Sequence, residues 1–203
     1  AEVEHAHRIL DIGTGTGLLA LMAAQRTQAD INAVEIHTDA FIQARENIAA
    51  SPFSQQISVH QGDIRTFEPN QTYDCILSNP PFFSQSLKGP NSARNLARHN
   101  DGLSFDELSF TLNRLLAPQG ICWILLPIQE TDSFLLSAIQ RALSLTKRIQ
   151  LQATPDKPPH RSVLVLSKRE SSEPDIQGLT LCHSDGTYTA EFSQLMQPYY
   201  LKL

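Results

Sequence analysis

The sequence predicts an α/β chain built on a doubly wound, mainly parallel sheet of seven strands that ends in an antiparallel hairpin. Three observations predict it. Strand-sized apolar runs alternate with segments of helical period along most of the chain. A glycine-rich turn, Gly13-Thr14-Gly15-Thr16-Gly17, stands where the first run gives way to the first helix. Polar residues suited to binding, Glu35, Asp63 and Asn79, end or follow the next three runs. Ligands on such sheets bind at the carboxyl ends of the strands, so residues there carry most of the functional information.

Arg8 to Ile12 is the first strand, followed by a helix over Gly17 to Arg26 with Leu18, Leu21, Met22 and Gln25 at helical spacing. Ile31 to Ile36 is the second strand. A helix follows from Thr38 to Ala50, with Phe41, Ala44 and Ile48 on one face. The third and fourth strands are Ile57 to Gln61 and Tyr73 to Ser78. Ser104-Phe-Asp-Glu107 has the form of a capping box, which starts a helix to Leu116 that Pro118 and Gly120 stop. Ile121 to Pro127 is the fifth strand, and Thr131 to Leu143 a helix with Phe134, Leu135, Ala138 and Ala142 inward. Lys147 to Ala153 and Ser162 to Ser167 form the hairpin, joined by a polar loop with three prolines. A polar turn at Ser171 to Asp175 leads into a short tail, where Asp185-Gly186 favours a tight turn. Residues 1–168 are expected to form the main domain, with 169–203 an extension packed on it. The pattern is Rossmann-like.

Composition narrows the class. The chain has 203 residues, 41% hydrophobic and 18% charged, enough apolar material for one sizeable core. No apolar run reaches the ~18 residues of a membrane span. The start, Ala1-Glu-Val-Glu-His5, does not resemble a signal peptide, so a cytoplasmic setting is expected. Cys75, Cys122 and Cys182 are odd in number and far apart, as expected of small buried residues in a reducing compartment. No Cys or His spacing suggests a metal, and His37, His60 and His183 fit ordinary surface or loop positions. No obligate protein partner is indicated. The net charge of −5 argues mildly against bulk nucleic-acid binding, which makes the local distribution of charge the better guide.

The glycine turn fits a nicotinamide fingerprint poorly. Starting G-x-G-x-x-G at Gly13 meets Leu18, and starting it at Gly15 leaves Asp11 outside the pattern. Asp11-Ile-Gly13-Thr14-Gly15-Thr-Gly17 resembles instead the first motif of class I S-adenosylmethionine methyltransferases. The resemblance implies that these residues let the methionine part of that cofactor lie against the backbone. Glu35, at the end of the second strand, can accept hydrogen bonds from both ribose hydroxyls, with Ile36 beside it. A solvated strand-end acid is the plain alternative. By the same resemblance Asp63 accepts the adenine amino group, and Ile64 lies along the ring.

Asn79-Pro80-Pro81-Phe82 follows the fourth strand and resembles the N-P-P-[YF] motif of methyltransferases that act on planar amino nitrogens. Such an amine is a poor nucleophile because its lone pair is delocalised. The Asn79 side-chain oxygen and the Pro80 carbonyl can each accept an N–H, and the two together aim the lone pair at the methyl donor. Asn79 therefore borders both cofactor and substrate. Phe82 offers a face for stacking a base, typically worth ~1–3 kcal/mol. After it come Phe83, Lys88, Arg94, Arg98 and His99, with no acid before Asp101. This run can serve phosphate contacts or be solvated surface.

Asn79-Pro-Pro-Phe-Phe83, Ala93-Arg94-Asn-Leu-Ala-Arg98-His99 and Tyr199-Tyr-Leu201 resemble the bacterial valine-tRNA adenine-N6 methyltransferases, from about Ile9 to Leu203. The resemblance implies a tRNA substrate, with the adenosine next to the anticodon, position 37 of a valine tRNA, as the target. The family has a longer N-terminal segment that helps close over the cofactor, and little precedes Arg8 here, which puts cofactor affinity in question. Three alternatives stay open. Ribosomal-RNA guanine-N2 methyltransferases share N-P-P-F but usually carry a His where Phe83 stands. Protein glutamine methyltransferases prefer N-P-P-Y and have a helical N-terminal domain. A non-catalytic cofactor- or RNA-binding module is the third.

Overall fold

The computed structural model describes residues 1–80, 102–171 and 173–200. Strands are β1 (Arg8–Ile12), β2 (Asp30–Glu35), β3 (Ile57–Gln61), β4 (Tyr73–Ser78), β5 (Leu116–Pro127), β6 (Ser144–Gln152), β7 (Arg161–Ser167) and β8 (Asp175–Thr180). Helices are α1 (Leu18–Ala24), α2 (Thr38–Ala49), α3 (Phe105–Leu115), α4 (Ile128–Gln140) and α5 (Ala190–Met196). One sheet of eight strands runs β3-β2-β1-β4-β5-β7-β6-β8. Only β7 opposes the rest: it pairs antiparallel with both β5 and β6, while β8 returns to the common direction beside β6.

The sheet divides the core in two, and the two-residue period of the strands assigns each side chain to a face. Leu10 and Ile12 of β1, Ile76 of β4 and Ile124 of β5 pack under α3 and α4, against Leu108, Leu112 and Phe134. Ile9, Cys75, Leu77 and Trp123 face the other way, toward Ala20, Ala23 and Ala24 of α1 and Ile48 of α2. Burial on both faces explains why these central strands read as continuous apolar runs. α1 packs mainly through its alanines; of the expected Leu18, Leu21, Met22 and Gln25, Leu21 is half-buried against the same core, while Leu18 is 62% exposed and Gln25 is exposed too. Small side chains on that face let the helix approach the sheet closely.

Several boundaries differ from expectation. The hairpin forms, but its second strand inserts between β5 and β6, so the reversed strand is internal to the sheet. The eighth strand lay in the segment read as turn and tail. Its exposed, weakly alternating Asp-Ile-Gln-Gly-Leu-Thr takes strand form by adding to the edge of β6. α5 also lies in the segment expected to be tail. It buries no residue and is started by the Thr189 hydroxyl, which accepts from the Phe192 N–H. α4 stops at Gln140, because Ala142 takes a left-handed φ of 55° and points outward, leaving Leu143 to enter the core. β5 begins at Leu116, ahead of Pro118, with a register shift against β4 between Tyr73 and Cys75.

Cys75 and Cys122 are buried and free, and burial pushes the Cys75 thiol up to about 12; Cys182 is only half-buried. His60 sits within β3, its Nε2 2.6 Å from Asn32 Oδ1 and its ring against Phe67. Among the described residues, no helix is long and apolar enough to cross a membrane.

Gly120 marks the tightest approach in β5. A Cβ there would stand 2.8 Å from the Tyr73 carbonyl oxygen and 2.9 Å from Leu116 Cδ1. Because the nearest obstacle is backbone, the strand pair must move to admit it. Gly120→Ala should cost ~1–3 kcal/mol of stability, typical of overpacking, seen as a lower urea midpoint at constant m-value. An unchanged midpoint would show that β4 and β5 are not held this closely.

Candidate active site

β1 and β4 are parallel neighbours, with Ile12 opposite Ser78. The next residues, Gly13 and Asn79, therefore leave the sheet side by side at its carboxyl edge. From β1 the chain turns to α1 on one face; among the described residues the next helix after β4, α3, packs on the other. Such a reversal of winding opens a crevice between the two strands. The buried Ser78 hydroxyl donates to the Ile12 carbonyl at 3.0 Å and ties the two strand ends together.

The glycine turn is held from beneath. Gly13 and Thr14 N–H groups donate to the Val34 carbonyl at 2.9 and 3.1 Å, and the Asn47 amide of α2 donates to the Thr16 carbonyl at 2.9 Å. Gly13, Gly15 and Gly17 have φ of 68°, 59° and 86°, the left-handed region that side chains disfavour. Their surroundings differ. A Cβ on Gly13 or Gly15 would meet nothing within 4 Å, whereas one on Gly17 would stand 3.2 Å from Ile48 Cδ1. The first two leave open space above the backbone for a ligand. Gly17 instead allows α1 to pack on α2, which is the role its residue type serves here.

Glu35 is almost buried and already holds the turn. Its Oε2 accepts the Gly15 N–H at 2.8 Å and its Oε1 the His37 N–H at 2.9 Å. Each carboxylate oxygen keeps a further lone-pair direction, so ribose hydroxyls can still be accepted. Exposed Ile36 and Leu18 stand beside this edge in sequence. Asp11 is fully buried, with Oδ2 accepting the Thr14 hydroxyl at 2.6 Å and Oδ1 without a partner. Burial pushes its carboxyl up to about 6, against the opposing pull of the Thr14 hydroxyl and the Ala20 N–H.

Asp63 follows β3, next to Gly62, whose N–H donates to the Glu35 carbonyl at 2.9 Å. Its carboxylate accepts the Arg65 backbone N–H and guanidinium, and the Arg65 side chain holds it below the usual carboxylate range. Ile64 is 7% exposed and packs in the core beneath α3, so only a sliver of it is offered to a ligand. Asn79 is exposed at the strand end, and Pro80 behind it is buried. Phe82, Phe83, Lys88, Arg94, Arg98 and His99 lie outside the described residues. Among the described residues, no group of three or more His, Cys, Asp or Glu side chains is placed to hold a metal ion.

Open space over Gly13 and Gly15, an acid at the end of β2 and an orphaned buried carboxylate oxygen below fit the S-adenosyl cofactor implied by the motif. Sequence reasoning missed three supports of this site: Asn47, Ser78 and Arg65. Asn47 and Ser78 act on residues distant in sequence, and Arg65, which grips Asp63 two residues away, is itself held by the distant Glu107. The nearest thing to a signal was their polarity within otherwise core-facing or turn positions.

Two predictions follow from this geometry. Gly15→Val places a β-branched residue in a left-handed turn and fills the open space. Glu35→Ala removes both backbone anchors and the ribose acceptors. Each should weaken S-adenosylhomocysteine binding in calorimetry, Glu35→Ala by roughly 1.5–3 kcal/mol per lost charge-assisted bond. Unchanged affinity in both would remove the cofactor from this turn. Asp11 tests the electrostatics. Its folded carboxyl lies near 6 against an ordinary 3.8, so the native state holds the proton more tightly than the unfolded chain. Native stability therefore falls as pH rises from the unfolded to the folded value, and the loss persists above it. Asp11→Asn should escape that loss. Its stability relative to the parent should rise across this interval and level off above about 6, measured by urea unfolding. A difference independent of pH would contradict a buried, reluctantly ionised Asp11.

Comparison with known proteins places the chain in a family and a fold. Residues 1–102 match the model of the methyltransferase small domain. A tRNA1(Val) (adenine(37)-N6)-methyltransferase of Parabacteroides distasonis is 42% identical over 205 residues, covering all of this chain and 86% of that protein. One of the same name from Pseudoalteromonas translucida is 42% identical over 204 residues, covering all of this chain and 87% of that protein. Among solved structures, a predicted O-methyltransferase, Atu636 of Agrobacterium tumefaciens, superposes with a TM-score of 0.73 at 17% identity. That likeness covers 94% of this chain and 88% of the other, and it shows the fold. With such identity along its whole length, the chain belongs to the family of the tRNA1(Val) (adenine(37)-N6)-methyltransferases.

Proposed function

We propose that this protein transfers the methyl group of S-adenosylmethionine to the exocyclic N6 of an adenine in tRNA, at position 37 of a valine tRNA. The observation that carries the reading is the pairing of Ile12 with Ser78. It sets the open glycine turn beside Asn79 and Pro80, the start of the amino-methyltransferase motif. The names of the full-length relatives support the adenine and the tRNA. A tRNA substrate also implies a cytoplasmic setting, and the reading requires no protein partner.

Asp11, Gly13, Thr14, Gly15, Glu35, Ile36 and Asp63 are the residues assigned to the cofactor. Once bound, S-adenosylmethionine supplies a methyl carbon made electrophilic by its sulfonium. The chain's own work is alignment. The Asn79 side-chain oxygen and the Pro80 carbonyl accept the two N–H groups of the target amine, favouring its pyramidal form and directing its lone pair along one line. The surplus proton then leaves through Asn79 or water, so no strong base is needed. Phe82 holds the base by stacking, and Lys88, Arg94, Arg98 and His99, with Phe83, supply the RNA side of the site.

Asn79→Ala should leave folding and S-adenosylhomocysteine binding near normal and lower kcat by about 100-fold or more, since misalignment acts on the transition state. Mass spectrometry of digested RNA should identify the parent's product as N6-methyladenosine. Near-normal turnover in Asn79→Ala would sink the mechanism, and N2-methylguanosine as product would replace the substrate assignment. Arg94→Ala with Arg98→Ala should weaken RNA binding and flatten its salt dependence, because fewer counterions are released. Identical affinity and salt slope would remove that segment from the RNA site.

A further inference from the structure

The turn after β3 is gripped by α3 from both of its ends. Asp63 Oδ1 accepts the Arg65 backbone N–H at 2.9 Å, and Oδ2 accepts Arg65 Nε at 2.8 Å and Nη2 at 2.5 Å. The remaining arm of the guanidinium, Nη1, donates to Glu107 Oε1 at 3.1 Å. Glu107 Oε2 in turn accepts the Ser104 N–H at 2.8 Å and hydroxyl at 2.7 Å, completing the capping box of α3. At the other end of the helix, Arg114 donates to the carbonyls of Phe67, Ile64 and Arg65 at 2.8, 3.2 and 3.4 Å.

These ion pairs are too exposed to matter much for stability: the Arg65 and Asp63 side chains are 34% and 26% exposed. Their effect is directional. A carboxylate offers about four lone-pair directions, and Arg65 takes three donor contacts on Asp63. The backbone N–H on Oδ1 and the two guanidinium N–H groups converging on Oδ2 leave the carboxylate one orientation, and Glu107 holds the guanidinium in turn. What remains of Asp63 is an acceptor of fixed direction at the carboxyl end of β3, suited to an amino hydrogen and repelled by a carbonyl oxygen.

We propose that Arg65 is a positioning residue that sets the preference of the cofactor site for adenine over a 6-oxo purine, with Glu107 as the residue that holds Arg65. The proposal rests on the reading of Asp63 as the acceptor of the cofactor's adenine amino group.

Calorimetry with S-adenosylhomocysteine and its hypoxanthine counterpart, S-inosylhomocysteine, tests it. The parent should prefer the adenine ligand by roughly tenfold or more, the effect of one charge-assisted hydrogen bond replaced by two opposed acceptors. Arg65→Met should bring that ratio below about threefold, with little change in thermal midpoint. Arg65→Lys should fall between, because an ammonium cannot fork. Glu107→Gln keeps a capping-box side chain and frees Arg65, so its ratio should fall as well. A merely structural Arg65 would weaken both ligands equally and leave the ratio at the parental value, which overturns the proposal. If Arg65→Met does not fold, Glu107→Gln decides in the same way. A parent that binds both ligands equally removes Asp63 as the amino acceptor and the proposal with it. A parent that binds neither removes the cofactor reading itself.

Discussion

The site depends on one strand pairing. β1 and β4 lie side by side in parallel with Ile12 level with Ser78, and the buried Ser78 hydroxyl ties the two ends at 3.0 Å. A one-residue slip would carry Asn79 away from the glycine turn and exchange the faces of Cys75, Ile76 and Leu77, which are divided between two cores. Register is therefore enforced by apolar packing on both faces at once. The binding groups inherit that precision, since they occupy the first positions after the strands end.

The cofactor turn shows how a ligand site is organised before any ligand arrives. Val34, Glu35 and Asn47 hold its backbone from below, and Gly17 closes it against α2. The upper surface is left open. Such pre-organisation lowers the ordering cost of binding. It carries a penalty at Asp11, a buried carboxylate with an oxygen that no described group satisfies. Polar burial of that kind opposes folding, and it is concentrated at functional sites because an apolar replacement would serve packing but not the ligand.

Much of this was legible in the chain. Strands buried on both faces, such as β1 and β4, announce themselves as apolar runs, and β1, β3 and β4 occupy the predicted residues. The capping box at Ser104 and Glu107 is formed as its spacing implies. Local chemistry fails where tertiary contact decides. α1 turns its alanines inward and leaves Leu18 exposed and Leu21 half-buried, because closeness to the sheet outweighs the size of the buried side chain. β8 and α5 have little apolar pattern and exist by attachment to β6 and β8 and to their own caps. At the site, Glu35, Asp63 and Asn79 were readable from their positions at strand ends. Asn47 and Ser78 were not, because each bonds to a partner that only the folded chain brings near, and Arg65 was not, because the Glu107 that holds it against Asp63 comes from a separate helix.

The central claim is that cofactor and target amine meet across the β1–β4 crevice. A crystal structure of the protein with S-adenosylhomocysteine and an unmodified anticodon stem-loop of valine tRNA tests it most directly. The account places the amino acid part of the ligand over Gly13 and Gly15. It places an extruded adenine with N6 within about 3.2 Å of the Asn79 side-chain oxygen and the Pro80 carbonyl. A ligand seated elsewhere on the sheet, or an adenine whose N6 touches neither acceptor, would contradict it.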